Sequence, residues 1–336
     1  MKLGRLAAAV FAACLVLPAS GLAARETAPA WTDTQPATIQ VTGGATVSIT
    51  LTAAAAQTND IVHISAVSLP QFVTFTRPDG NPSTATLTIA PQASGHGTFV
   101  VALEARDSSG DVTNRVLTVV VTADTRPVPL AGPGAISRWA YVLARTTARA
   151  APHYSAKTVG IVPTSTPTGG PNLVRALTEQ RDEQGREWVD VALATLPNGT
   201  TGWIPRSALD TFQVVRTHLV IDRAALSATL YRNTKEIFHA TIGVGRPSAP
   251  TPAGEFYVRE ELRNFGDPFY GPVAFGTNAR SAVLTDWPGG GFIGIHGTNE
   301  PQLLPGHISH GCIRMRNADI LRLAKLMSLG TPVTIR

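Results

Sequence analysis

The chain has 336 residues, of which 43% are hydrophobic and only 15% charged, with a formal charge of +5. That length exceeds what one hydrophobic core usually fills and allows two or three domains, while the apolar content excludes a disordered chain. The positive charge is small and scattered, so the concentrated basic stripe of a nucleic-acid binder is missing, although a mild positive balance suits work beside an anionic polymer.

Residues 1–24 read as a secretory signal: Lys2 and Arg5 at the start, an apolar run over 6–17, Pro18, then small residues up to Ala23 and Ala24. The run is well short of the roughly 20 residues a spanning helix needs. No later segment is apolar enough, so no transmembrane segment is expected after signal removal. Of the two cysteines, Cys14 leaves with the signal, and Cys312 becomes the sole thiol of an exported chain. Such a thiol is either put to use or buried and inert.

From 36 to 123 apolar residues alternate with polar ones, as in TVSITL at 46–51, TATLTI at 84–89 and RVLTVVV at 115–121, with turn clusters at 78–82, 94–97 and 107–111. Period-two spacing between turns predicts an antiparallel β-sandwich. The pattern resembles the immunoglobulin-like modules of bacterial envelope proteins. His63 and His96 lie in it without metal-ligand spacing. A Pro/Gly-rich linker is expected over 124–135.

A second unit is expected over 136–212, where WVDVAL (188–193), the Pro197–Gly199 turn and TGWIP (201–205) form a strand–turn–strand. This order is similar to the small bacterial Src-homology-three-like barrels, in which Trp188 and Trp203 fit either a ligand groove or the core. Residues 146–180 are polar and receive no assignment. The third unit, 213–336, has strand patterns at 217–222, 228–232 and 236–245, a helix beginning with Asn317 as N-cap and carrying Ile320, Leu321, Leu323, Ala324 and Met327, a stop at Gly330, and a last strand. The fold class is therefore mainly β and multi-domain: a β-sandwich, a small β-barrel and a mostly-β catalytic domain with a C-terminal helix.

The chemistry concentrates in 296–315, which holds Cys312, Arg314 and three of the eight histidines, His296, His307 and His310. A cysteine attacks as thiolate, so it needs a base or a positive field beside it. His310 precedes Cys312 by two and shares its side of an extended backbone, as does Arg314 two residues after it. His296 ends a predicted strand sixteen positions earlier, and the intervening loop can return it to the thiol; either histidine can be the base. Gly297 and Gly311 leave the backbone uncovered for close approach. A zinc site from His296, His307 and His310 lacks ligand spacing, and Cys312 as fourth ligand would silence the nucleophile, so no metal is expected. Phe269, Tyr270, Phe275, Trp287 and the 288–291 segment fit a flap or groove wall, or simply the closure of a small core.

His296-Gly-Thr, the SHGCIRM run over 309–315 and TPAGEF over 251–256 resemble the L,D-transpeptidases with a YkuD-type catalytic domain, over residues 213–336. The resemblance implies Cys312 as nucleophile and His296 as its base, with the Gly297 carbonyl fixing the imidazole tautomer. It also implies that Ser309 and His310 shape the site, that the Gly311 and Cys312 amides form the oxyanion hole, and that Arg314 braces the loop. Tyr270, Phe275 and Trp287 become candidates for the substrate groove. No cofactor is implied. The implied substrates are peptidoglycan stem peptides, acylated onto Cys312 with loss of D-Ala and passed to an amine in a 3→3 cross-link, in the envelope or wall of a bacterium. An L,D-carboxypeptidase using water as acceptor and a non-catalytic wall-binding protein are the alternatives. Ligands of the N-terminal modules are not legible.

Overall fold

The computed structural model describes residues 27–132, 136–263, 267–284 and 291–336. The expected signal over 1–24, Cys14, Trp287 and 288–290 lie outside the described residues. The chain divides into two compact units, the first made of residues up to Val41, Thr46–Ala90 and Thr98–Val120, the second of Thr42–Ala45, Pro91–Gly97 and Val121–Arg336.

Alternation in the first unit produces two four-stranded sheets. One runs Ala30–Trp31, Val47–Ala54, Ser83–Ile89, Val73–Thr76; the other Thr38–Thr42, Val112–Thr122, Gly97–Arg106, His63–Ser68. Ser83–Ile89 buries every second residue, as a strand with one face on a core must. Leu51, Leu87, Leu103 and Leu117 are fully buried. A largely buried ion pair, Arg115 to Asp33 at 2.7 Å, closes the edge beneath Trp31, whose ring lies 5.4 Å from the guanidinium.

The second unit contains two sheets. In the first, Ser137–Tyr141, Thr146–Arg149, Thr158–Val162, Leu173–Arg181, Glu187–Ala192, Thr201–Pro205 and Gln213–Val215 join in one path. Residues 146–180, unassigned from the sequence, supply three of these strands. They were illegible because their burial is partial and irregular, as in Leu173–Arg181, where only three of nine side chains are buried. Trp188 is core: it is 1% exposed and its Nε1–H donates to Asp182 Oδ2 at 3.0 Å, an oxygen that also takes Arg186 Nε–H at 2.7 Å. Trp203 is half-buried. Gln213–Val215 pairs with Ser137–Tyr141, so the catalytic sheet begins at Thr217.

That sheet has ten strands in the order Lys235–Thr241, Ser227–Arg232, Thr217–Asp222, Pro332–Ile335, Gly254–Arg263, Val273–Arg280, Phe292–His296, Ile313–Arg314, Gly243–Gly245, Gly306–Ser309. Most neighbours are antiparallel, but three pairs run parallel: Thr217–Asp222 with Pro332–Ile335, Gly243–Gly245 with Gly306–Ser309, and Phe292–His296 with Ile313–Arg314. The C-terminal helix is Asn317–Ala324, shorter than the sequence pattern suggests, with Met327 buried beyond its end. Arg316, not Asn317, holds the N-cap position. Ile320 and Leu323 face the core while Leu321 is 41% exposed, the result of a helical turn of 3.6 residues. The mainly-β, multi-domain class expected from the sequence is the class observed.

Within the second unit the sheet of 137–215 and the ten-stranded sheet share a seam of hydrogen bonds. The Tyr257 hydroxyl lies 3.3 and 3.2 Å from the Leu173 and Ala192 carbonyls, and burial pushes its pKa up to about 12. Asn198 exchanges two bonds with the backbone of Arg280, at 2.8 and 2.9 Å, and Asn278 Nδ2–H donates to Leu193 O. Gly330 belongs to the same seam: a Cβ there would stand 1.9 Å from Trp139 Cδ1, and its φ is +75°. Gly199 also has positive φ, +84°, but nothing lies within 4 Å of its Cβ position. Gly199→Ala is therefore expected to cost only the left-handed backbone penalty, about 1–2 kcal/mol. Gly330→Ala adds the displacement of an indole, about 1–3 kcal/mol more. Comparing the two urea-unfolding midpoints with the unmodified chain checks the difference.

Candidate active site

The site follows from strand order. Phe292–His296 is flanked by Val273–Arg280, with Ala274 opposite His296, and by Ile313–Arg314, with Arg314 opposite His296. The parallel pairing carries Cys312, one residue before Ile313, alongside Gly294. The Gly294 N–H points at Cys312 Sγ at 3.4 Å. A Cβ on Gly294 would lie 3.9 Å from Sγ and 3.9 Å from His296 Cδ2, so thiol and imidazole edge flank the space that this missing side chain leaves.

His296 is 1% exposed. Its Nδ1 lies 2.6 Å from the Gly297 carbonyl. A carbonyl only accepts, so Nδ1 carries the proton and Nε2 keeps the lone pair. Burial holds the imidazole pKa down to about 4, with the Arg314 charge adding to the effect and the Gly297 bond opposing it. Burial likewise pushes the Cys312 thiol up, against the pull of the Gly294 N–H and Arg314. At neutral pH the pair is thus a thiol beside a neutral imidazole, and a proton must move for sulfur to attack. The Tyr270 and Phe269 rings lie 5.0 and 6.1 Å from the imidazole and keep it dry.

The turn before Cys312 is pinned from inside. Ser309, 1% exposed, donates its hydroxyl to Cys312 O at 2.6 Å and accepts from Gly311 N–H at 3.0 Å. Thr251 donates to Gly311 O at 2.7 Å and accepts from Gly245 N–H at 2.8 Å. Gly311 has φ +124°, and a Cβ there would meet Ile293 Cδ1 at 2.9 Å. Its N–H, expected from the resemblance to face an oxyanion, is directed instead at Ser309 Oγ, because the turn closes on that hydroxyl. His310 lines the cleft with Cys312; burial, then the Arg246 and Arg314 charges, lower its pKa. Arg314 is 4% exposed, pairs with Glu300 at 3.3 Å and holds its guanidinium 4.2 Å over the Phe269 ring. It braces the aromatic wall as well as the loop.

Tyr270 lines the cleft; Phe275 does not. The latter is 1% exposed and packs in the catalytic core cluster, since its position on Val273–Arg280 points it inward. Trp287 lies outside the described residues. Phe269 and Tyr270 belong to a single turn, Pro268–Tyr270, capped by Asp267, whose carboxylate accepts from Phe269 N–H. His307 turns to the Gly245 carbonyl at 3.3 Å, and among the described residues no group of three His, Cys, Asp or Glu could hold a metal.

The sequence pattern marks Asn317 only as a helix cap. Its Oδ1 accepts from Thr298 N–H at 2.9 Å and stands where a Cβ on Gly297 or on Gly271 would approach within 2.3 or 2.4 Å. It therefore fixes the strand end whose carbonyl orients His296. Gly294 and Glu300 are further supports that carried no local signal, whereas Thr251 opens the TPAGEF run.

Residues 216–335 match the model of the YkuD family, the L,D-transpeptidase catalytic domain. The YkuD protein of Bacillus subtilis strain 168 is 36% identical over 118 residues, 35% of this chain and 65% of the relative. The YqjB protein of the same organism is 31% identical over 103 residues, 28% of this chain and 57% of the relative. The chain thus spans less than two thirds of the length of these curated relatives. A catalytic domain of an E. faecium L,D-transpeptidase, solved by NMR, is 25% identical over 36% of this chain and 96% of that one, with a TM-score of 0.27.

The depressed histidine has a consequence for stability. An unfolded His296 titrates at its ordinary value near 6.5, whereas the folded one does so at about 4. Between those values the unfolded state binds the extra proton, so the contribution is complete above pH 6.5 and is lost as pH falls towards 4. It amounts to about 3 kcal/mol. Urea unfolding at pH 7 and pH 4 is expected to show this loss in the unmodified chain and a smaller one in His296→Gln.

Proposed function

We propose that the chain is an exported, cysteine-dependent L,D-transpeptidase acting on peptidoglycan stem peptides. The observation that carries this reading is the flanking of Gly294 by the Cys312 thiol and by an imidazole whose Nδ1–H is tied to the Gly297 carbonyl. That arrangement leaves Nε2 as the acceptor for the thiol proton.

His296 Nε2 takes the Sγ proton as sulfur attacks the carbonyl of the third stem residue, and the carbonyl π pair moves onto oxygen. The Cys312 amide, at the end of the pinned turn, is the donor assigned to that oxyanion, a contact worth about 3 kcal/mol in other acyl-transfer enzymes. Collapse expels D-Ala, whose nitrogen receives the proton from His296, and a thioester remains. An acceptor amine then attacks, gives its proton to His296, and the cysteine thiolate leaves and is reprotonated. With a second stem as acceptor the product is a 3→3 cross-link; with water it is a tripeptide. The Arg314 charge keeps the cleft electropositive, which favours both thiolate and oxyanion. Among the described residues no helix is long and apolar enough to cross a membrane; the N-terminal leader is the basis for export.

Incubating a defined disaccharide-tetrapeptide and reading product mass tests the reading: dimer is expected, tripeptide alone reassigns the acceptor to water, and no product in any condition rejects catalysis. A carbapenem is expected to add once to the intact protein and not at all to Cys312→Ala. His296→Ala is expected to lower the acylation rate by about 10²–10⁴-fold, with a smaller effect from His310→Ala; the reverse ranking transfers the base to His310. Because the base is neutral above about pH 4, the acidic limb of kcat/KM is expected well below pH 6.5.

A further inference from the structure

Behind the cleft, at the seam of the barrel and catalytic sheets, runs a groove of about 420 Å³ lined by Thr166, Asn172, Tyr257, Arg259, Arg280 and Phe292, among others. Arg259 is 4% exposed. One terminal nitrogen donates to Asn172 Oδ1 at 2.9 Å, but its Nε has no hydrogen-bond acceptor among the described residues, and no described carboxylate forms an ion pair with it. The adjacent Glu260 accepts from Thr166 and Thr168 across the seam. Burying a guanidinium with a neutral amide as its partner leaves an uncompensated charge, which is costly unless an anion completes the site. The Arg280 guanidinium borders the same groove. The two guanidinium carbons lie 4.8 and 5.0 Å from the Phe292 ring centroid.

We propose that this groove is a binding site for an oxyanion, a carboxylate or phosphate group, with Arg259 as its anchoring donor. The planar fork of a guanidinium matches two oxygens of either group, and Nε is one arm of that fork. Thr166 and Asn172 supply neutral polar groups to the same groove. Phe292 lines both this groove and the Cys312 cleft, so an anion beside its ring touches the back of a cleft wall. The site is independent of the reaction assigned to Cys312, and its test reads binding alone.

The full chain is titrated with inorganic phosphate, with acetate and with N-acetyl-D-alanine, against sodium chloride at matched ionic strength and acetamide as the neutral counterpart of acetate. The thermal midpoint is expected to rise saturably with at least one of the three anions and not with acetamide. Saturation by phosphate alone identifies a tetrahedral anion, and saturation by N-acetyl-D-alanine identifies a peptide carboxylate as the source. Arg259→Gln is expected to weaken the response by about tenfold or more, the equivalent of one charge-assisted hydrogen bond, with Arg259→Lys between the two. In the unmodified chain the Arg259 Nε–H resonance is expected to move along the same titration, a readout that does not require the variants to fold. No saturable response to any of the anions, an unchanged affinity in folded Arg259→Gln, or an unmoved Nε–H signal overturns the proposal.

Discussion

Everything in the candidate site depends on one parallel strand pairing. Phe292–His296 and Ile313–Arg314 run side by side in the same direction, which sets Cys312 beside Gly294 and His296 beside Arg314. A parallel pair cannot be closed by a tight hairpin and needs a longer connection. The chain uses that connection to make the Gly306–Ser309 strand and the pinned turn before the thiol.

Given that pairing, desolvation decides the electrostatics. The same burial that keeps His296 neutral also keeps Cys312 protonated, so the site is poised for proton transfer on attack and does not rest as an ion pair. Such a site needs its imidazole in one tautomer and one orientation, because a neutral ring is an acceptor on one nitrogen only. The Gly297 carbonyl sets the tautomer, and Asn317 and Gly271 leave that segment no room to shift. Arg314 enters through charge and through the Phe269 ring it covers, which ties the aromatic wall to the loop carrying the nucleophile.

The sheet of 137–215 is bound to the ten-stranded sheet by side chains reaching backbone groups: Tyr257, Asn278 and Asn198 all use a carbonyl or amide across the seam. These contacts fall on Gly254–Arg263 and Val273–Arg280, the second of which pairs directly with the His296 strand. Seam and cleft are therefore one strand apart, and Phe292 borders both.

Local information was enough for the parts of this protein whose cause is local. Period-two spacing predicted the strands at 46–51 and 84–89, a strand–turn–strand order that at 188–193 and β-branched content that at 217–222, and a thiol with two nearby histidines marked the reactive stretch. The partly exposed strands of 146–180 carried no such period, because seam and solvent both tolerate polar side chains there. Asn317 shows the limit clearly: its position before an apolar helical pattern suggests a cap, yet its amide serves Thr298, nineteen residues away in sequence. Likewise Gly311 could be recognised as a bare backbone position, but only the folded turn shows its N–H engaged by Ser309, and only the core shows Phe275 turned away from the cleft. Sequence by itself determined the residue types, their periodicity and the family likeness of residues 216–335. Tertiary structure decided which groups share a boundary and which are dry, because strand order and desolvation arise from contacts between distant segments.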